Sequence, residues 1–100
     1  MTSWWARRRE VRRARSAAAL AAGERHRQLV HAADWTITDA RRAAASDEPA
    51  VVSVAAVQHR AAADDGLQVE PEEAAAVLRA RLRLRAGWFD VMDDAGEGAR

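Results

Sequence analysis

The spacing of apolar and polar positions between residues 71 and 86 predicts a helix. Five apolar side chains of this segment fall on one helical face, namely Ala74, Ala75, Leu78, Leu82 and Ala86. Pro71 and the glutamates around it suit the first turn, because proline lacks an N–H and negative charge is favoured at a helix N-terminus. Gly87 suits the end of this helix, since glycine readily takes the left-handed conformation of a C-terminal cap.

Part of the same segment carries a second periodicity. Residues 79–85 alternate arginine with an apolar side chain, which is the period-two pattern of a half-buried strand. We favour the helix, because Ala, Leu, Arg and Glu are good helix formers and no partner strand is evident. After Gly87, the run Trp88 to Met92 is the bulkiest apolar cluster in the chain. It is expected to form an aromatic turn that folds back onto the core.

A long basic helix is expected over residues 1–33. Thr2 or Ser3 can cap its start, and it then passes through the basic segment Arg7 to Arg15, RRREVRRAR. Gly23 weakens a helix, but the composition on both sides of it remains helical. We therefore prefer one long helix that is only lightly broken near Gly23.

Residues 34–66 are expected to hold the central helices. Thr36 to Asp39 has capping-box spacing and predicts a turn followed by a short helix. Ser46 to Pro49 predicts another start, with a helix from about Pro49 to Ala63. A buried strand is the alternative for the valine-rich segment Ala50 to Val57, AVVSVAAV. We favour the helix, because similar composition continues beyond the length of a typical strand.

These elements predict an all-α fold, a small bundle of three to four helices with a long basic N-terminal helix. Residues 1–92 are expected to form one domain, with the C-terminal helix and aromatic turn in residues 67–92 and a disordered tail in residues 93–100. Twenty-six of the apolar residues are alanine, so few large side chains are available for a core. Close helix packing, or pairing with a second copy of the chain, would compensate for this.

Composition excludes several classes of protein. The chain has no cysteine, which rules out disulfides and thiol catalysis. It has abundant alanine and arginine but no lysine, a bias typical of GC-rich genomes, and we expect a bacterial source. No apolar run is long enough to span a membrane, and Ser16 to Gly23 is too short for the core of a secretory signal. We therefore expect a cytoplasmic protein.

Charge is distributed unevenly along the chain. Residues 1–27 carry eight arginines against two glutamates, whereas residues 28–100 carry eight arginines against thirteen acidic residues. The front is therefore strongly basic and the remainder is acidic. Either the two parts neutralise each other, within one molecule or between copies, or the front is reserved for an anionic partner.

The arginine cluster is the strongest functional signal in the sequence. A guanidinium can donate two hydrogen bonds to one phosphate while neutralising it, and an exposed tryptophan can stack on a base. The residues predicted to contact nucleic acid are Arg7, Arg8, Arg9, Arg12, Arg13, Arg15 and Trp5. The alternative is a helical assembly or adaptor protein whose basic front docks on an acidic protein surface, possibly its own in a homo-oligomer. An anionic membrane surface is a third partner that arginines beside tryptophans would suit.

No catalytic, cofactor or metal site is predicted. His26 and His31 are five residues apart, which misses the spacing of three or four that places two ligands on one helical face. His31 and Asp34 do have a spacing of three, but we expect all three histidines, His59 included, to be solvated or on helix surfaces. Glycine-rich phosphate loops and nucleophile motifs are absent, so we expect a protein that is not an enzyme.

One segment resembles a known family. The run Leu67 to Arg79, LQVEPEEAAAVLR, with Asp90 and Val91 beyond it, is similar in spacing to the ANTAR domain, a three-helix RNA-binding module of bacterial regulators. The resemblance covers roughly residues 55–92. Ala75 replaces the usual aromatic residue, and the stretch before Asp90 is one residue short. No residue of that family is therefore assigned to a site here.

Overall fold

The computed structural model describes residues 3–94, which form three helices and two short strands. In chain order the elements are α1 (Trp4–Ala43), β1 (Ala50–Ser53), α2 (Val54–Asp65), α3 (Pro71–Leu82) and β2 (Phe89–Met92). The protein is mostly helical and begins with a long helix, as the sequence predicts. The two strands form a small parallel sheet, which corrects the all-α expectation.

Helix α1 is one continuous element of 40 residues. It passes through Gly23 without a break and also through Thr36 to Asp39, so the turn and new helix predicted there are wrong. The Thr36 hydroxyl donates to the Ala32 carbonyl at 2.8 Å, and the side chains of Thr36 and Ile37 are buried. Tertiary packing therefore overrides the weak helix propensity of these β-branched residues, and the hydrogen bond to Ala32 satisfies the buried Thr36 hydroxyl.

Strand β1 stands where the sequence predicts the first turn of a helix from Pro49. Ala50 and Val52 are buried and Val51 is exposed, which is the alternation of a strand with one face on the core. Ser53 then ends the strand and caps α2, because its hydroxyl accepts a hydrogen bond from the N–H of Ala56 at 3.1 Å. The valine-rich segment is thus divided between a strand and a helix.

Strand β2 replaces the predicted aromatic turn and pairs in parallel with β1. Its register places Ala50 opposite Phe89 and Ser53 opposite Met92. Helices α2 and α3 supply the crossover that two parallel strands require. Because the two strands lie far apart in the sequence, the partner of β1 cannot be recognised from local pattern.

The end of α2 and the start of α3 follow the local signals, whereas the end of α3 does not. Helix α2 stops at Gly66, whose φ of 63° is left-handed, and Pro71 occupies the first turn of α3. Helix α3 ends at Leu82, earlier than the predicted end at Ala86. Gly87 is consequently not its cap, and with a φ of 135° it lies in the connection to β2.

The segment predicted as a tail begins with two residues that contact the body. Asp93 pairs with Arg79 at 2.7 Å. The Asp94 carboxylate accepts hydrogen bonds from the Ser53 hydroxyl at 2.6 Å and from the N–H of Ala55 at 2.9 Å. Burial alone would raise the pKa of Asp94, but these hydrogen bonds lower it overall. Residues 95–100, the rest of the predicted tail, lie outside the described residues.

One core joins the three helices and the sheet. The C-terminal half of α1 contributes Leu29, Ala32, Ala33 and Ile37, and these side chains pack with buried residues of β1, α2 and α3. Val69, in the connection between α2 and α3, is also buried, and Leu67 packs against the same core. The core therefore engages only the C-terminal half of α1.

Two leucines on α1 test this division. Leu29→Ala is expected to lower the free energy of unfolding by about 2–5 kcal/mol, because a side chain that is 1% exposed leaves a cavity. Leu20→Ala removes the same atoms from a side chain that is 73% exposed, so its effect should stay within about 0.5 kcal/mol. Urea unfolding of both variants measures this. Equal losses would contradict the assignment of Leu20 to an unpacked part of the helix.

Candidate nucleic-acid interface

The N-terminal half of α1 extends beyond the body of the protein. We call residues Trp4 to Ala22 the arm, and all of its side chains are exposed except Ala6, which is half-buried. At about 1.5 Å per residue the arm is roughly 28 Å long. It contributes to an elongated molecule that measures 70 × 33 × 19 Å.

The arm is helical for local reasons. The Ser3 side chain caps its start by accepting a hydrogen bond from the N–H of Ala6 at 3.2 Å. Alanine and arginine, which dominate its sequence, are among the best helix formers. The arm also continues a helix that the core already holds, so it needs no separate nucleation.

The six predicted arginines all lie on the arm and are exposed. Within residues 3–94, none of them forms an ion pair with a carboxylate. One has an aromatic partner, because the Arg8 guanidinium lies over the Trp4 ring at 4.7 Å. Their donors are therefore available to an external anion.

Trp5, the remaining predicted contact residue, lies at the tip of the arm. Its ring meets that of Trp4 edge-on, with the centroids 4.7 Å apart. Both side chains are more than half exposed, at 57% for Trp4 and 61% for Trp5. The structure thus brings all seven predicted residues onto one exposed helical segment.

Arginines nearer the body behave differently. Arg25 pairs with Glu73 and also donates to the Gln68 carbonyl at 3.0 Å, which binds α1 to the start of α3. Arg27 pairs with Glu24 on the same helix at 2.5 Å. Arg25 and Arg27 belong to the basic front by sequence, but the chain itself neutralises them. Within residues 1–27, the arginines left without a carboxylate partner are therefore those of the arm.

A second ion pair, between Arg81 and Asp34, holds α1 to the end of α3, and we call it and the Arg25–Glu73 pair the two clamps. Arg81 donates two hydrogen bonds to the Asp34 carboxylate, at 2.9 and 3.0 Å, and this raises the pKa of Arg81. Arg85 donates to the Thr38 hydroxyl at 2.9 Å. The alternating arginines of residues 79–85 are thus largely engaged within the chain. Sequence reasoning missed both clamps, because their partners are almost 50 residues apart.

The histidines do not form a metal site in the part of the chain that the structure describes. Across residues 3–94 there is no cluster of three or more His, Cys, Asp or Glu side chains suited to a metal ion. His31 instead packs edge-on against Trp35, with ring centroids 6.2 Å apart.

A shallow groove lies between α1 and α2, with β1 at one end. It is lined by Thr36, Asp39, Ala40, Val51, Ser53, Ala56, His59, Arg60, Ala63 and Asp64. The Arg60 guanidinium pairs with Asp39, so an ion pair crosses the groove. The same guanidinium also lies 4.0 Å from Asp64, so one arginine engages both carboxylates of the groove.

No helix within residues 3–94 is both long enough and apolar enough to cross a bilayer. No known protein family matches this chain, and no curated protein or solved structure matches it either. Its function must therefore be inferred from its own geometry and charge.

The Arg25–Glu73 clamp predicts a pH dependence. Hydrogen bonding by Arg25 lowers the pKa of Glu73 below its ordinary value of 4.5. A carboxylate with a lowered pKa stabilises the fold above its unfolded-state pKa, and that contribution disappears as the pH falls through the folded-state value. Wild type should therefore be more stable than Glu73→Gln at pH 7, and the difference should shrink progressively below pH 4.5. Urea unfolding midpoints at several pH values check this; a difference that is constant from pH 7 to pH 3 would contradict it.

Proposed function

We propose that this protein is a small non-enzymatic binding protein that engages nucleic acid through its arm. The contacts are assigned to Arg7, Arg8, Arg9, Arg12, Arg13, Arg15 and Trp5. The observation that carries the proposal is the exposure of the six arm arginines without a carboxylate partner in residues 3–94. We also place its action in the cytoplasm, where nucleic acid is accessible to a bacterial protein.

Phosphate chemistry suits this surface. Each guanidinium offers a planar fork that matches two oxygens of one phosphate, and the neutralised phosphates release their counterions. With six such contacts over nine residues, raising the salt concentration from 50 to 200 mM would lower the affinity for nucleic acid by about 1,000-fold. The exposed Trp5 ring adds an apolar plane on which a base can stack. Neither contribution needs a pocket.

A second candidate function is supported by the apolar seam of the arm. Trp4, Val11, Ala18 and Ala22 lie on the helical side that, further along α1, carries the buried side chains from Leu29 onwards. This seam could pack against a second copy of the chain or an acidic partner helix. The protein would then be a helical assembly or adaptor protein. The basic charge on both sides of the seam opposes close pairing of two arms, so we rank this function second.

Substitution of four arm arginines tests the first function. The variant with Arg8, Arg9, Arg12 and Arg13 all changed to Ala should lose most of its affinity for nucleic acid. Its slope of log affinity against log salt should fall by about 3 to 4, since each lost phosphate contact removes about 0.9. Fluorescence anisotropy of a labelled oligonucleotide at several salt concentrations measures both.

The matched control changes Arg42 and Arg83 to Ala, because these two exposed arginines lie outside the arm. Their loss should leave affinity and salt slope nearly unchanged. If the arm variant keeps its nucleic-acid affinity but changes its mass on a sizing column, the assembly function is correct instead. A membrane partner would be indicated by a blue shift of tryptophan fluorescence with anionic vesicles, in the absence of nucleic-acid binding.

A further inference from the structure

The arm arginines are not confined to one side of the helix. Each residue of an α-helix advances by about 100° around the axis. On this basis the six arginines follow one another around the helix in the order Arg7, Arg15, Arg8, Arg12, Arg9, Arg13. Together they cover about two thirds of the circumference. We call this surface the cationic arc.

The remaining third of the circumference carries no positive charge. It holds Ala6, Glu10, Ala14 and Ala17, and we call it the bare side. Glu10 and Ala14 are exposed, so the bare side is not packed on the body. Both arm tryptophans lie within the cationic arc. The arm therefore has one broad surface suited to an anion and one narrow surface suited to solvent.

The width of the cationic arc discriminates between nucleic acids. The major groove of B-form DNA is about 12 Å wide, close to the 10–12 Å diameter of a helix with its side chains. A helix in this groove has a row of phosphates along each flank and base edges beneath it, and only its outer side meets solvent. By contrast, a single strand offers one row of phosphates, which a narrow stripe of arginines would satisfy.

Double-stranded RNA fits the arm less well. The major groove of an A-form duplex is deep and narrow, and its wide minor groove is shallow. A helix resting on the minor groove would bring only one side close to the phosphates. The six arginines of the arc could not then all contact phosphates at once.

From this distribution we propose that the ligand of the arm is double-stranded B-form DNA. The arm lies in its major groove, with Arg7 and Arg13 directed toward opposite phosphate rows and the bare side directed to solvent. This inference rests on the proposed nucleic-acid function and specifies its ligand.

The first experiment compares three ligands of the same sequence under the same salt conditions. A fluorescein-labelled 20-base-pair DNA duplex, one of its single strands and the corresponding RNA duplex are titrated with the full chain. The DNA duplex is expected to bind at least about tenfold more tightly than either of the others, because only its groove offers phosphates on both flanks. Equal or tighter binding to the single strand or the RNA would overturn the groove assignment but leave nucleic-acid binding intact. Binding to none of the three would overturn the proposed function itself.

The second experiment uses two variants that change net charge by the same amount. Arg12→Ala removes a positive charge from the middle of the cationic arc, and Ala14→Glu adds a negative charge to the bare side only two residues away. Ala14 is not three or four residues from any arginine, so the new carboxylate gains no helical ion pair. Arg12→Ala should weaken binding to the DNA duplex by at least about 5-fold, because the middle of the arc faces the base edges at the groove floor and a lost guanidinium contact there costs at least that much. Ala14→Glu should weaken it by no more than about twofold.

Circular dichroism of both variants serves as the control, and both should remain as helical as the wild type before their affinities are compared. Equal losses of affinity would mean that only overall charge matters, which would overturn the assigned orientation. The edges of the arc give a further test, because Arg7→Ala and Arg13→Ala should each weaken binding to the duplex. A loss from only one of them would indicate contact with a single phosphate row.

Chemical protection locates the groove directly. Dimethyl sulfate methylates guanine N7, which faces the major groove. The bound full chain should protect guanines in a DNA duplex from this reaction, and the variant with Arg8, Arg9, Arg12 and Arg13 changed to Ala should not. Unprotected guanines under conditions of saturated wild-type binding would overturn the major-groove placement.

Discussion

The packing of one side of α1 against α2 and α3 is the interaction on which the rest of the structure depends. Leu29, Ala33 and Ile37 are almost completely buried, and they fix the direction of the helix that carries them. Because α1 is one continuous helix that contains no proline to kink it, fixing its C-terminal half also sets the direction in which the arm leaves the body. The Arg25–Glu73 pair lies where this packed region ends. The packed half of α1 therefore holds the arm in place, although the side chains of the arm take no part in the core.

The pairing of the arginines follows the same division between the body and the arm. Most arginines of the body contact carboxylates or carbonyls elsewhere in the chain, as Arg81 does with Asp34 and Arg41 with the Ala45 carbonyl at 2.8 Å. These contacts are partly exposed, so each contributes little to stability and mainly specifies how the helices meet. Within residues 3–94, no other element lies beside the arm to supply carboxylates. Its charge stays uncompensated because of its position, and this is the basis of the proposal that the arm binds an external polyanion.

Local signals predict much of this fold, and non-local contacts account for the errors. Pro71 and Gly66 mark helix ends correctly, since proline and glycine act through their own backbone geometry. The strand at Val51 and Val52 depends on a partner about 40 residues later, which no local pattern identifies. The arm arginines are evident from composition alone. Arg25 forms an ion pair and Arg15 does not, because Glu73 lies beside Arg25 although it is 48 residues away in the sequence. Only the three-dimensional arrangement reveals this difference.

A distance within α1 tests most directly whether the arm is a rigid continuation of the packed helix. The chain has no cysteine, so cysteines introduced at the exposed positions Ser16 and Arg42 would be the only sites for spin labels. A continuous helix places their backbones about 39 Å apart, and pulsed electron paramagnetic resonance should give one narrow distance distribution near that value. A broad distribution, or one centred well below 30 Å, would mean that the helix breaks near Gly23 and that the arm folds back. That result would contradict a projecting cationic surface.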